Sequence, residues 1–183
     1  MVKLNVPLFG QPMFYQCVPT CVKMVLEYAR QQHGSKIPRL SIKTIARVIG
    51  TTIDGTAPKS VEKINERIRE AQPSVEFETK FLGSFPEIVE ELEERKLPVI
   101  VWINCVEPPA VVWHAVVVTG FDPETNTVFL NDPDGKVEKT MEVGVFNQRW
   151  GMIKRLVKVL IGRIQQRYIN EWTTNTENRE IGE

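Results

Sequence analysis

The hydrophobic pattern of the chain changes about halfway along. In the first half, apolar residues repeat every three or four positions, which is the spacing of a helix with one buried face. Gly34 follows the first such run as a stop signal. Ser41 and Ser84 are placed to cap two later runs, and Pro58 suits the first turn of another. These signals predict helices over residues 19–33, 42–49, 56–71 and 84–96.

Strand signals dominate the second half of the chain. Residues 98–104 form an uninterrupted, mostly β-branched run, typical of a strand that is buried on both faces. Turn-forming residues at 122–126 separate two apolar segments, which predicts a hairpin. We therefore predict strands over residues 74–82, 98–104, 113–121, 127–131 and 136–142. Helices followed by a mostly antiparallel sheet make one α+β domain.

Residues 152–168 fit two descriptions. Apolar residues keep a helical rhythm through this span, yet residues 156–161 are equally good strand material. The span and its flank are also strongly basic, with Arg149, Lys154, Arg155, Lys158, Arg163 and Arg167. These cations in segment 149–167 either bind an anionic surface or partner, or form a solvated face that answers the acidic helix near residues 87–94. We favour the second interpretation.

Composition narrows the class of protein. A length of 183 residues suits one domain, and we predict that residues 1–170 form it and that residues 171–183 are a disordered tail. Lys and Arg together number 23, as do Asp and Glu, so the chain lacks the net positive charge of most nucleic-acid binders. No apolar run reaches the length of a membrane span, and the N-terminus does not resemble a signal peptide.

The three cysteines indicate a reducing compartment and no disulfide framework. Their odd number argues against structural pairing, so we expect a soluble, cytoplasmic protein. Cys17 and Cys21 are separated by three residues, no second pair follows, and the chain has only two histidines. We therefore expect neither a metal nor another cofactor.

Cys17 is the first candidate for chemistry. It precedes the first clear helix, so its sulfur would lie at a helix N-terminus, where unpaired N–H groups and the helix dipole favour a thiolate. A cysteine in an apolar context is more often part of the core. Cys17 alone is therefore weak evidence.

His114 and Asp132 strengthen the case through the predicted hairpin. A hairpin centred on Pro123 pairs Val118 with Val128 and, farther along, His114 with Asp132. Directly opposed side chains lie close enough for a carboxylate to orient an imidazole base. A shift of one residue in this register would replace Asp132 with Asn131.

Gln11 is the fourth candidate. It lies six residues before Cys17, in the loop that leads to the helix. From there a side-chain amide could donate to an oxyanion together with a backbone N–H of the nucleophile.

Three blocks of sequence, taken in order, resemble a known family. Residues 6–28 look like the Gln-x5-Cys-x-Pro-x-Cys opening of the C39-like papain-fold peptidases, a group that includes bacteriocin-leader-processing domains. Residues 114–122 and 131–133 are similar to the family's second and third blocks. The later Phe146-x3-Trp150 matches a helix near the end of these domains, and the similarity spans about residues 5–161.

The resemblance implies a papain-like fold and a cysteine peptidase. By it, Cys17 is the nucleophile, His114 the general base and Asp132 the residue that orients this base. Gln11 becomes the oxyanion donor, and residues 156–161 become a final core strand. The implied partner is a peptide or protein substrate, with no cofactor.

Two departures from the family pattern limit what can be carried over. Val18 stands where the family often has Gly, and Gln16 stands where it often has Asp. A side chain at position 18 can crowd the approach of a substrate, so specificity for a glycine-glycine leader is not carried over. Two alternatives stay open: a papain-fold binding module without turnover, and an acyl transferase on the same fold.

Overall fold

An antiparallel sheet lies at the centre of the computed structural model, which describes residues 1–34, 36–72, 75–107, 109–151 and 154–161. Its seven strands are β1 Val2–Lys3, β2 Val75–Lys80, β3 Val99–Asn104, β4 Trp113–Asp122, β5 Thr127–Asp132, β6 Val137–Glu142 and β7 Leu156–Ile161. The spatial order is β2-β7-β3-β4-β5-β6, and β1 pairs with the far end of β4. Strand β4 therefore has β3 and β1 along one side and β5 along the other.

Five α-helices pack around this sheet in the described part of the chain. They are α1 Cys17–His33, α2 Ile42–Val48, α3 Ile64–Arg69, α4 Phe85–Glu93 and α5 Val143–Trp150. Helix α1 packs on β4 and β3, which places its N-terminus beside the start of β4. The predicted α+β class, with N-terminal helices on a mostly antiparallel sheet, is confirmed.

Local capping accounts for the helix boundaries. The Ser41 hydroxyl accepts the Thr44 N–H at 3.1 Å, and Gly34 ends α1 with a φ of 108° that favours glycine. Ser84 and Glu87 form a capping box at the start of α4. These ends agree with the sequence prediction because each depends on residues only a few positions apart.

The helix predicted over residues 56–71 is divided in two. Pro58–Lys63 is a 3-10 helix and α3 follows it directly. Both pieces are anchored on β2, since the Asn65 amide bonds the N–H and the C=O of Phe77. The Thr79 hydroxyl likewise donates to the Pro58 carbonyl at 3.2 Å. These tertiary bonds favour a tighter first turn than a continuous α-helix would give.

Residues 156–161 form a strand, β7, so the helical alternative for this segment is wrong. Strand β7 lies between β2 and β3, and the buried side chains Leu156, Val157 and Val159 explain why its pattern was ambiguous. Lys158 contacts Glu91 at 2.8 Å and Glu87 at 3.9 Å, so it pairs with the acidic helix as expected, but its side chain is 12% exposed and does not lie on a solvated face.

Two other basic residues of this segment have different partners. Arg149 bonds Glu107 at 2.6 Å, and Arg155 lies over the ring of Phe81. Residues 162–183, with the expected tail and two of the basic residues, lie outside the described residues. Among the described helices, none has both the length and the apolar composition that a membrane crossing requires.

Candidate active site

Cys17 is the first residue of α1 and lies against the start of β4. Its half-buried sulfur faces the N–H groups of Ala115 and Val18 and the His114 side chain. The backbone of Ala115 can face Cys17 because β5 pairs with β4 only from Val117 onward. The N-terminal end of α1 lies beside the part of β4 that precedes this pairing. Cys17 therefore lies at a helix N-terminus, as predicted.

Cys21 lies one helical turn after Cys17, in surroundings that disfavour a thiolate. Its side chain is fully buried, and its thiol donates to the Ala115 carbonyl at 3.3 Å. Burial, with the negative charges of Cys17 and Asp132, raises the pKa of the Cys21 thiol well above its ordinary value. Cys21 is thus a neutral core thiol, although it contacts the same residue as Cys17.

His114 connects Cys17 to Asp132. Its Nε2 lies 2.6 Å from Asp132 Oδ1, which leaves Nδ1 as the ring nitrogen available to the Cys17 sulfur. The three side chains come from three separate elements, α1, β4 and β5. The structure therefore brings together three of the four candidate residues.

The predicted register of the β4–β5 hairpin is wrong, although the predicted contact forms. Val118 pairs with Leu130 rather than with Val128, and a bulge lies between Val118 and Gly120. A difference of two residues keeps each side chain on the same face of the sheet. His114 and Asp132 are diagonal neighbours instead of directly opposed residues, a separation that long side chains still bridge.

Asp132 is nearly buried and has several partners. Its Oδ1 accepts the Asp134 N–H at 2.8 Å as well as the imidazole, and its Oδ2 accepts Lys139 Nζ at 2.6 Å. Burial raises the pKa of Asp132, but His114, Lys139 and the Asp134 N–H lower it to about 2. The carboxylate is therefore ionised at neutral pH. Sequence reasoning missed Lys139, since only the β5–β6 register reveals it.

The protonation of Cys17 and His114 follows from their contacts. Burial lowers the pKa of His114, whereas its bonds with Asp132 and Cys17 raise it to about 9. Burial raises the pKa of Cys17, but His114 and the N–H groups of Ala115 and Val18 outweigh it and bring the pKa below its ordinary value. Both shifts act in the direction of a thiolate–imidazolium pair.

Gln11 lies near the site but is not shown to contact Cys17. Its backbone N–H bonds the Pro133 carbonyl at 2.9 Å, which ties the Gln11 loop to the residue after Asp132. Its Nε2 faces the Phe14 carbonyl at 3.4 Å, while its buried Oε1 has no hydrogen-bond partner. An amide turned by 180° would present nitrogen at that buried position.

A cavity of about 470 Å³ opens beside the Cys17 sulfur. Its walls come from the start of α1, residues 50–60, strand β3, the first residue of β4 and the residue before β7. The lining residues are Cys17, Val18, Gly50, Thr52, Asp54, Gly55, Thr56, Ala57, Pro58, Ser60, Trp102, Trp113 and Arg155. Trp113 is 37% exposed, so an aromatic face beside His114 is open to a ligand.

The position of residues 50–60 beside the site is a feature that the sequence does not predict; they form a loop that leads into the 3-10 helix at Pro58–Lys63. The hydroxyls of Thr51 and Thr56 lie 2.8 Å apart, and Thr52 and Gly55 form a β-bridge. These contacts hold the loop as a wall of the cavity. Among the described residues, no cluster of His, Cys, Asp and Glu side chains is arranged to hold a metal ion.

A solved peptidase domain has the same class of fold. The chain is similar to the peptidase domain of Streptococcus ComA, a bi-functional ABC transporter involved in a quorum-sensing pathway. The TM-score is 0.61 at 19% identity, over 86% of this chain and 99% of that one. It also matches the N-terminal peptidase C39 like domain of a toxin secretion ATP-binding protein from Vibrio parahaemolyticus. That match has a TM-score of 0.49 at 12% identity, over 74% of this chain and 92% of that one.

The fold is thus that of a C39 peptidase domain, as predicted. The sequence profile of the Peptidase_C39 like family matches residues 3–158, so the chain belongs to this family of cysteine peptidases. Membership implies peptide substrates. No curated protein matches the chain.

Proposed function

We propose that the protein hydrolyses peptide bonds with Cys17 as nucleophile, His114 as acid and base, and Asp132 as the residue that orients the imidazole. The observation that carries this proposal is the continuous series of contacts from the Cys17 sulfur through the imidazole to Asp132. The lowered pKa of Cys17 supports it, because the thiolate is the reactive form.

The reaction has two halves. The Cys17 thiolate attacks the carbonyl carbon of the scissile bond, the imidazolium of His114 gives its proton to the leaving amine, and a thioester remains. Water then attacks the thioester while His114 takes a proton from it, and the thiolate leaves as the acid is released. Asp132 Oδ1 holds the ring orientation in both halves through Nε2.

Gln11 donates to the oxyanion in this proposal, together with a backbone N–H at the start of α1. Two points support this role. The Pro133 carbonyl holds the Gln11 loop in place through the Gln11 N–H, and the family resemblance implies an oxyanion donor at this position. The donor would have to be the Gln11 Nε2, which requires the amide to turn from the Phe14 carbonyl when substrate binds.

The substrate would lie as a peptide in the cavity beside Cys17, between Trp113 and the loop at residues 50–60. Val18 lines the cavity beside Cys17 and stands where the family often has Gly, so a glycine-glycine leader is not the proposed substrate. All three cysteines are free thiols, which supports the expected reducing, cytoplasmic setting.

A peptide-library digest tests the proposal. We expect the wild-type protein to cleave a subset of peptides, and Cys17→Ala and His114→Ala to leave them intact while remaining folded. Mass analysis of the products with and without an added amine separates hydrolysis from acyl transfer. Cleavage by Cys17→Ala, or a wild-type protein that binds peptides without cleaving any, would contradict the proposal.

A further inference from the structure

Lys139 makes a contact that neither the family blocks nor the proposed mechanism accounts for. Its Nζ lies 2.6 Å from Asp132 Oδ2, and no other described residue is shown to bond this oxygen. The imidazole of His114 and the Asp134 N–H both bond Oδ1 instead. Oδ1 of Asp132 therefore bonds the imidazole of His114, whereas Oδ2 bonds Lys139.

The sheet explains this geometry. Leu130 pairs with Val118 on β4 and with Lys139 on β6, so the three residues form one row. Asp132 lies two residues farther along β5, on the same face, and is diagonal to Lys139 on one side and to His114 on the other. The carboxylate thus lies between an imidazole and an ammonium that reach it from the two neighbouring strands.

We propose that Lys139 is a positioning residue that holds Asp132 through Oδ2 and moderates the attraction of this carboxylate for the His114 imidazolium. The inference rests on the proposed function of His114. Charges alternate along the series of Lys139, Asp132, His114 and Cys17. A cation on the far side of Asp132 offsets part of the negative charge that the imidazolium experiences.

This moderation matters in the second half of the reaction. Once Cys17 carries an acyl group, its negative charge is lost, and Asp132 alone holds the proton on His114. The imidazole must be neutral at that stage to accept a proton from water. An unmoderated carboxylate would keep more of the imidazole protonated and slow the release of the acyl group.

Few charged or titratable groups face His114 and Asp132, so a change in the pKa of His114 can be assigned to Lys139. His114 faces Cys17 from α1 and Asp132 from β5. Asp132 faces His114, Lys139 and the backbone of Asp134, with Cys21 and Cys105 farther away. Lys139 is the one cation among those that does not take part in the proton transfers.

The test is an NMR titration of His114 with Cys17 capped by iodoacetamide, which removes the thiolate charge without any substrate. Cys105→Ala serves as background, so that capping is confined to the site. The chain has two histidines, and His33→Gln assigns their signals. Lys139→Met and Lys139→Gln remove the charge, Lys139→Arg retains it, and Lys3→Met is the matched control. Lys3 is similarly exposed and bonds Glu138, the neighbour of Lys139.

We expect both neutral variants to raise the pKa of His114 by about half a pH unit or more. Lys139→Arg and Lys3→Met should remain within about 0.2 of the wild-type value, since both keep a cation beside Asp132. An unchanged or lowered pKa of His114 in the folded neutral variants would overturn the inference. Failure of Cys17 to take up the cap would instead count against the proposed function, so the two outcomes are distinct.

Discussion

Two clusters of buried charge lie on the same sheet and differ in what they can do. Near β7, Glu91 is 1% exposed and bonds Lys158 and Arg95, each at 2.8 Å. At the ends of β4 and β5, Asp132 bonds His114 and Lys139, each at 2.6 Å. Both clusters place one carboxylate between two basic groups, and in both the carboxylate is almost inaccessible.

The difference lies in the partners and in access. In the β7 cluster the partners of Glu91 are an arginine and a lysine, and the cluster joins α4 to the sheet. His114 can lose a proton, contacts a thiol of lowered pKa, and lies beside the residues that line the cavity. A buried ion pair is thus no evidence of chemistry until it includes a group that titrates and a route for substrate.

Replacement of Cys17, the proposed nucleophile, should have the largest effect and should separate the two clusters most clearly. We expect Cys17→Ala to reduce turnover of a cleaved peptide by about 10⁴-fold or more, because no other thiol has its surroundings. Cys21→Ala is the matched control one turn along α1, and it should affect stability more than turnover per folded molecule. Equal loss of turnover in the two variants would place the chemistry elsewhere.

Gln11→Ala should have the next largest effect, and it tests the cluster that contains Asp132 and His114. We expect turnover to fall by about 10²–10³-fold, the scale of one lost oxyanion donor, with Cys17 alkylation unchanged. Thiolate formation depends on the helix end and His114, and neither requires Gln11. Wild-type turnover would remove Gln11 from the site, and a parallel loss of alkylation would make its role structural.

Glu91→Gln tests the other cluster. Removal of this charge leaves Lys158, which is 12% exposed, with Glu87 at 3.9 Å as its one acidic partner among the described residues. We expect the free energy of unfolding in urea to fall by about 3 kcal/mol, since a buried charge that loses its close partner is costly. The rate of Cys17 alkylation in the folded protein should not change. A changed rate would mean that the two clusters are coupled.

Acid stability should show a smaller effect of Asp132. Its folded pKa of about 2 lies below the ordinary 3.8, so its contribution is present above about pH 4 and is lost as pH falls through about 2. We expect wild type to exceed Asp132→Asn by roughly 2 kcal/mol in free energy of unfolding at pH 5, and by less than half of that at pH 2. Asp134→Asn, in the same turn, is the control. A pH-independent difference for Asp132→Asn would contradict the assigned pKa.

Much of the fold could be predicted because its signals are local. The capping box of Ser84 and Glu87 and the stop at Gly34 are complete within a few residues, and both are found as predicted. The strand at residues 156–161 was ambiguous on pattern alone, because a strand buried on both faces has no polar alternation. The family resemblance favoured a strand there, and β7 confirms it.

The parts of the site that could not be predicted depend on contacts between distant residues. The β4–β5 turn is centred between Glu124 and Thr125 rather than on Pro123, because Asp122 pairs with Thr127, and the bulge next to Gly120 then shifts the register by one residue. Lys139 reaches Asp132 only through the pairing of β5 with β6, and the loop at residues 50–60 becomes a cavity wall only after α1 is placed. Local sequence thus predicts the candidate side chains, and tertiary structure supplies their surroundings.

Alkylation of the three thiols tests the central claim most directly. Cys105 is exposed but its pKa is raised, while Cys17 is half-buried and its pKa is lowered. With iodoacetamide near neutral pH, followed by mass spectrometry of each site, we expect Cys17 to react about tenfold or more faster than Cys105. Cys21 should stay unmodified, and His114→Ala should remove the advantage of Cys17. Equal labelling of Cys17 and Cys105 in the folded protein, or a Cys17 rate that does not depend on His114, would contradict the account.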